Sequence, residues 1–168
     1  MTNLHIMVGL QGSGKSTWAR KQIGWYISRD EIREELRGPE DDYFAVEDKV
    51  YDEFIHRICL AMSQNYVYPD IYIDATHLNK KSRNKLLSHL YNHHSDWFTS
   101  GDVQIFFEVL NKPLTICLIN NAKRSGEARV PDQVIINASE HFELPNEKET
   151  WTLQSRYHLK NPIEVNIH

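Results

Sequence analysis

The stretch Gly9 to Thr17, "GLQGSGKST", restricts this chain more than any other part of it. Glycines at 9, 12 and 14 are poor material for a helix or a strand, yet they stand directly before Lys15, Ser16 and Thr17. The spacing satisfies the G-x-x-x-x-G-K-[ST] pattern, in which glycines admit positive φ and bring backbone N–H groups close to phosphate oxygens. Leu4 to Val8 is a short apolar run of the kind found in buried parallel strands, and Lys15 to Ile23 reads as a helix. A strand, a glycine loop and a helix in that order put the positive end of the helix dipole at an anion. The expected ligand is a nucleoside triphosphate held by Gly9, Gly12, Ser13, Gly14, Lys15, Ser16 and Thr17. Lys15 is expected to reach the β- and γ-phosphates as part of the catalytic machinery, and the Ser16 hydroxyl to ligate Mg²⁺.

The remaining pattern extends this beginning into an α/β chain. Trp25–Ile27 reads as a second strand, with Ser28 or Asp30 available to cap a helix over Glu31–Leu36. Gly38 to Asp42 reads as a loop. Val50, Phe54, Ile58, Ala61 and Met62 recur at helical spacing and predict an amphipathic helix across 43–64. Further strands are expected at Ile71–Asp74, Val103–Leu110 and Ile163–Ile167. Helices are expected from Asn79 or Lys80 onward, over 113–122, and from Asp132 to about Phe142. Strands alternating with helices imply right-handed crossovers onto a parallel sheet of about four to five strands in a three-layer domain.

Composition narrows the class. The chain has 168 residues, 40% of them hydrophobic and 25% charged, which suits one globular domain over 1–168. A formal net charge of -4 argues against a protein that coats nucleic acid nonspecifically, while leaving room for a local basic channel. Cys59 and Cys117 stand alone, so a disulfide or zinc site is not expected. No apolar run approaches the roughly 18 residues of a membrane span, and the expected location is cytoplasmic.

Three segments bear on what receives a phosphoryl group. "YISRDEIREEL" places Arg29, Asp30 and Arg33 at the carboxyl end of the second strand, the ligand edge of open α/β sheets. Asp30 could accept the proton of an attacking hydroxyl while Arg33 holds an anionic part of the acceptor; the plainer alternative is a helix cap and an i,i+3 ion pair. "IYIDATHLNKKSR" offers Asp74 for the Mg²⁺ shell or the acceptor site, and Thr76 and His77 as hydrogen-bond donors, with a structural role the alternative for His77. Lys80, Lys81, Arg83 and Lys85 form a basic cluster, either a phosphodiester contact or a solvated face. "NAKRSGEARVP" carries Lys123, Arg124 and Arg129 on a glycine-bearing segment, expected as a lid over about 123–131. An arginine there would stabilise charge on the transferring group, with Arg124 the first choice and Arg129 the second. Trp151 and Tyr157 are expected to pack.

Taken together, "GSGKSTWAR", "RDEIR", "DATHLNKKSR" and the lid ending in Val130-Pro131 resemble the kinase module of phage-type polynucleotide 5′-hydroxyl kinases, over roughly residues 4 to 145. The resemblance implies a P-loop kinase fold with a helical lid, ATP and Mg²⁺, and the 5′-OH end of a nucleic acid as partner. It implies Asp30 as general base and Arg33 as the contact to the acceptor's phosphate. Asp74 departs from the pattern, since the acidic residue of the best-known phage version lies one place nearer the threonine. A D-x-D phosphatase signature and a K-x-D-G ligase motif are absent, and a stand-alone kinase is expected. Two alternatives remain open. One is a kinase of a small metabolite, a nucleoside or a hydroxylated base; the other is a nucleotide switch that transfers nothing.

Overall fold

The computed structural model describes residues 1–39, 46–126 and 129–168. Its elements, in chain order, are β1 (Thr2–Val8), α1 (Lys15–Arg20), β2 (Trp25–Ser28), α2 (Arg29–Leu36), α3 (Glu47–Ser63), β3 (Asp70–Asp74), α4 (Lys80–Ser100), β4 (Val103–Val109), α5 (Leu114–Ala122), α6 (Asp132–Glu140), α7 (Glu147–Arg156) and β5 (Glu164–Ile167). Five strands form one sheet in the order β2-β3-β1-β4-β5, and every pairing is parallel. The connection leaving β1 runs toward β2 and the one leaving β4 runs toward β5. Adjacent β1 and β4 are therefore a topological switch point, where open α/β sheets take their ligands. The glycine loop follows β1 at that point.

One face of the sheet carries most of the core. Leu4, Ile6 and Val8 of β1, Ile71 and Ile73 of β3 and Phe107 of β4 pack against Phe54 and Ile58 of α3 and Leu86, Leu87 and Leu90 of α4. Each such side chain, fully withdrawn from water, stabilises by about 1.5–3 kcal/mol. The other face is covered near the glycine loop by α1, whose Trp18 and Ala19 lie on Met7 and Tyr72. Farther along it, His5 is stacked between Tyr72 and Phe106 and bridges Asp70 and Glu108.

Several boundaries differ from the sequence reading. Helix α1 stops at Arg20 rather than Ile23. Helix α2 starts at Arg29 because the Ser28 hydroxyl caps it, accepting from the Glu31 N–H at 3.2 Å. The expected start of α3 at 43, and residues 40–42 of the expected loop, lie outside the described residues. Helix α7 has no counterpart in the sequence reading. Its buried residues are Glu149, Thr150 and Leu153, so two of the three inward positions are polar and the apolar period is hidden. Of the two aromatics there, Tyr157 is buried and Trp151 is exposed, so packing holds for the first alone. No helix among the described residues is long and apolar enough to cross a membrane.

Candidate functional site

The glycine loop is shaped by its neighbours. Gly12 has φ +83°, and a Cβ there would lie 2.3 Å from the Cys117 carbonyl oxygen on α5. Only glycine lets α5 approach so closely. Asn120, also on α5, donates to the Gly12 carbonyl at 2.8 Å and ties the loop down. Gly14 has φ +92° and no heavy atom within 4 Å of where a Cβ would stand, so this side of the loop is open. The Ser13 hydroxyl is buried and has no hydrogen-bond partner among the described residues. A buried orphan hydroxyl in an open glycine cradle is polar capacity that a phosphate oxygen would satisfy.

Lys15 lies buried within this cradle and donates to the Leu10 carbonyl at 3.0 Å. Burial pushes its pKa down, while the charges of Asp74 and Asp30 act in the opposite direction. Arg124 also acts on Lys15, as a like charge. These effects place the lysine, both carboxylates and the first-choice lid arginine in one electrostatic neighbourhood.

Asp74 ends β3 beside the cradle, and the Ser16 hydroxyl donates to its Oδ2 at 2.5 Å. The Tyr26 hydroxyl donates to the same oxygen. Burial and the Asp74 charge push the Tyr26 phenol above its ordinary range, so it stays a donor. Tyr26 escaped the sequence reading, although its parallel register with Tyr72 on the neighbouring strand puts it two residues from the strand end where Asp74 sits. No cluster of three or more His, Cys, Asp or Glu side chains among the described residues would hold a metal ion. One hydroxyl and one carboxylate nevertheless fit Mg²⁺, which keeps several waters and takes the rest of its ligands from substrate phosphates.

On the acceptor side, Asp30 begins α2 with its side chain 85% exposed and pairs with Arg33 one turn on. Both anticipated features of this segment are present: the Ser28 cap and the i,i+3 pair. A third was not anticipated. Glu47, at the start of α3, accepts from Arg33 through Nε and Nη2 and from Nη2 of Arg29 at 2.9 Å. Burial opposes ionisation of Glu47, but its bonds to Arg33 and the charges of both arginines hold its carboxyl below the usual range. Nothing in the spacing of the sequence links residue 47 to residues 29 and 33.

Other expected contacts take different places. Thr76 offers its backbone carbonyl to the Gly9 N–H at 3.0 Å. His77 is buried, and its Nδ1 meets the Met7 carbonyl at 2.6 Å. Burial lowers its pKa to about 4 against that hydrogen bond, with the charges of Arg29, Lys15 and Arg83 adding to the lowering. The ring is a neutral internal donor, turned away from any acceptor. Arg83 corrects the expectation of a phosphodiester contact. It is fully buried, with Nε 2.9 Å from Glu149 Oε1, Nη2 3.1 Å from Oε2 and Nη1 2.8 Å from the His77 carbonyl. Lys80, Lys81 and Lys85 stay on the surface. Arg129 is exposed on the far limb of the lid segment, whereas Arg124 is half-buried. Asn121 holds the two limbs together by exchanging hydrogen bonds with the Val130 backbone at 2.7 and 3.1 Å. Lid residues 127 and 128 lie outside the described residues.

With this arrangement in view, the chain belongs to the AAA domain family, which it matches over residues 4–145. Among curated proteins none is similar to it in sequence. The fold is that of P-loop kinases. A sugar kinase from Janibacter sp. HTCC2649 superposes with TM-score 0.56 and 15% identity, over 99% of this chain and 86% of its own. A gluconokinase from Sinorhizobium meliloti 1021 does so with TM-score 0.50 and 13% identity, over 99% and 82%. A chain of the Pnkp1/Rnl/Hen1 complex matches with TM-score 0.58 and 19% identity over 99% of this chain, which spans 46% of that one.

Proposed function

We propose that this member of the AAA domain family transfers the γ-phosphoryl group of ATP to the 5′-hydroxyl of a polynucleotide. One observation carries the reading. Lys15 in the glycine cradle feels the charges of Asp30, Asp74 and Arg124, so donor-side and acceptor-side groups converge on one point. A nucleotide switch would not need the acceptor-side carboxylate.

The chemistry follows from these positions. Backbone N–H groups of Gly12 to Ser16 and the Ser13 hydroxyl receive the phosphates, and Lys15 neutralises charge toward the γ-phosphoryl group. Ser16 and Asp74 would hold Mg²⁺, which when bound supplies charge neutralisation between the β- and γ-oxygens. Tyr26 keeps Asp74 aimed at that position. Asp30 takes the proton of the acceptor hydroxyl as the new P–O bond forms and the bond to the β-phosphate oxygen breaks. Arg33 orients Asp30 and binds an anionic group of the acceptor. Arg124 stabilises the charge spread over the transferring oxygens, and closure of its segment excludes water as a competing acceptor.

A second reading, a sugar or other small metabolite as acceptor, has its own support. The sugar kinase and gluconokinase are matched over most of their length, unlike the chain of the Pnkp1/Rnl/Hen1 complex. Incubation with γ-labelled ATP and a panel of acceptors separates the two: 5′-OH DNA, 5′-OH RNA, nucleosides, nucleoside 3′-monophosphates and sugars. Label on the 5′ end of oligonucleotides is expected, and label confined to sugars would overturn the polynucleotide reading.

A further inference from the structure

The Glu47 cluster has the make-up of an occupied anion site. Two guanidinium groups from α2 converge on one carboxylate from α3, and both of its oxygens already accept: Oε1 from Arg33, and Oε2 from Arg29 at 2.9 Å and Arg33 at 3.2 Å. The guanidinium of Arg29 is itself held 5.1 Å above the Tyr51 ring, which fixes its direction. Its Nε is buried and without a hydrogen-bond partner among the described residues. Two arginines thus bring more donors than two oxygens take up. A phosphate monoester or diester presents a further oxygen and the same negative charge. The cluster is also within reach of the catalytic groups, since Arg33 bonds Asp30 on the next turn.

Resting on the phosphotransfer reading above, we infer that Glu47 stands where the acceptor's phosphate binds, and that Arg29 and Arg33 select phosphate-bearing acceptors by exchanging Glu47 for that phosphate. A neutral polyol cannot displace a carboxylate from two guanidinium groups, because it offers no charge in return. The exchange therefore discriminates against free sugars and nucleosides. It leaves Arg29 with a partner for Nε only in the complex. Glu47 is a competitor with the ligand in this scheme and touches none of the reacting atoms.

The test is calorimetric binding of cytidine 3′-monophosphate and of cytidine to the whole chain without ATP, as wild type, Glu47→Gln and Arg29→Gln. Removing the competitor's charge should lower the ratio of the monophosphate Kd to the cytidine Kd by about tenfold, and removing Arg29 should raise it about tenfold. The two variants move the ratio in opposite directions, so a general loss of structure cannot imitate the pattern, and either one alone decides if the other fails to fold. Glu47→Gln weakening the monophosphate, an unchanged ratio in both variants, or no binding of the monophosphate by any form would overturn the inference. The expected ratios in a chain that labels no acceptor would sink the transfer reading and leave the anion site standing.

Discussion

Arg83 and Glu149 are 0% and 4% exposed in their side chains, whereas Arg29, Arg33 and Glu47 are 31%, 14% and 20% exposed. Both clusters are bidentate arginine–carboxylate arrangements, and one ties α4 to α7 while the other ties α2 to α3. They differ in what else can reach them. Around Arg83 no water or ligand can replace Glu149, so the pair and the His77 carbonyl form a sealed unit whose loss leaves a buried charge. Around Glu47 the site opens to solvent, so its charges can change partners without being stranded. The same two residue types make a rivet in one place and an exchangeable contact in the other.

The comparison breaks most visibly at the sealed pair. Glu149→Ala should destabilise the fold by about 3–5 kcal/mol in urea titration, because the guanidinium is left buried and unpaired. A loss under about 1 kcal/mol would mean that water enters behind α7. The pH dependence of stability probes the same unit through His77. Its folded pKa of about 4 lies below the ordinary 6.5, so the unfolded chain binds the proton more readily. This contribution is complete above pH 6.5 and is lost as pH falls toward 4, by up to roughly 3 kcal/mol. His77→Asn, which tolerates the observed φ of +42°, should flatten that slope.

At the open cluster the effect should move from stability to catalysis. Arg33→Ala is expected to shift stability by about 1 kcal/mol and to lower kcat/KM by about 10²-fold, or about 2.7 kcal/mol of transition-state stabilisation. Equal losses in folding would make Arg33 a second rivet. Smallest is the fully surface pair Arg20–Glu31, at 2.6 Å with side chains 55% and 47% exposed. Arg20→Ala should cost less than about 1 kcal/mol in thermal unfolding, a contribution that added salt erases.

What could be read from the sequence divides along the same line. The glycine loop was legible because its chemistry is contiguous: every residue that shapes the cradle lies within Gly9–Thr17, and the flanking strand and helix announce themselves by period. Strands β1 to β5 and most of the helices were legible for that second reason. Long-range polar contacts were not. Glu149 pairs with Arg83 across 66 positions, and Tyr26 meets Asp74 across 48. Such pairs leave no trace in local spacing. Arg83 was misread because an arginine among lysines at a helix start looks solvated, and only the buried Glu149 on an unforeseen helix reverses that. Asp30 and Arg33 fall between these cases, since their i,i+3 pairing is local while the partner of both arginines, Glu47, is not.

The central claim is that Asp30 serves as the base for phosphoryl transfer from a nucleotide held in the glycine cradle. Asp30→Ala tests it most directly, with γ-labelled ATP and a 5′-OH oligonucleotide for transfer and equilibrium dialysis for ATP binding. The Asp30 side chain is largely exposed, so the fold should survive its removal. Transfer is expected to fall by about 10²–10⁴-fold while ATP binding holds; transfer at the wild-type rate would contradict the claim.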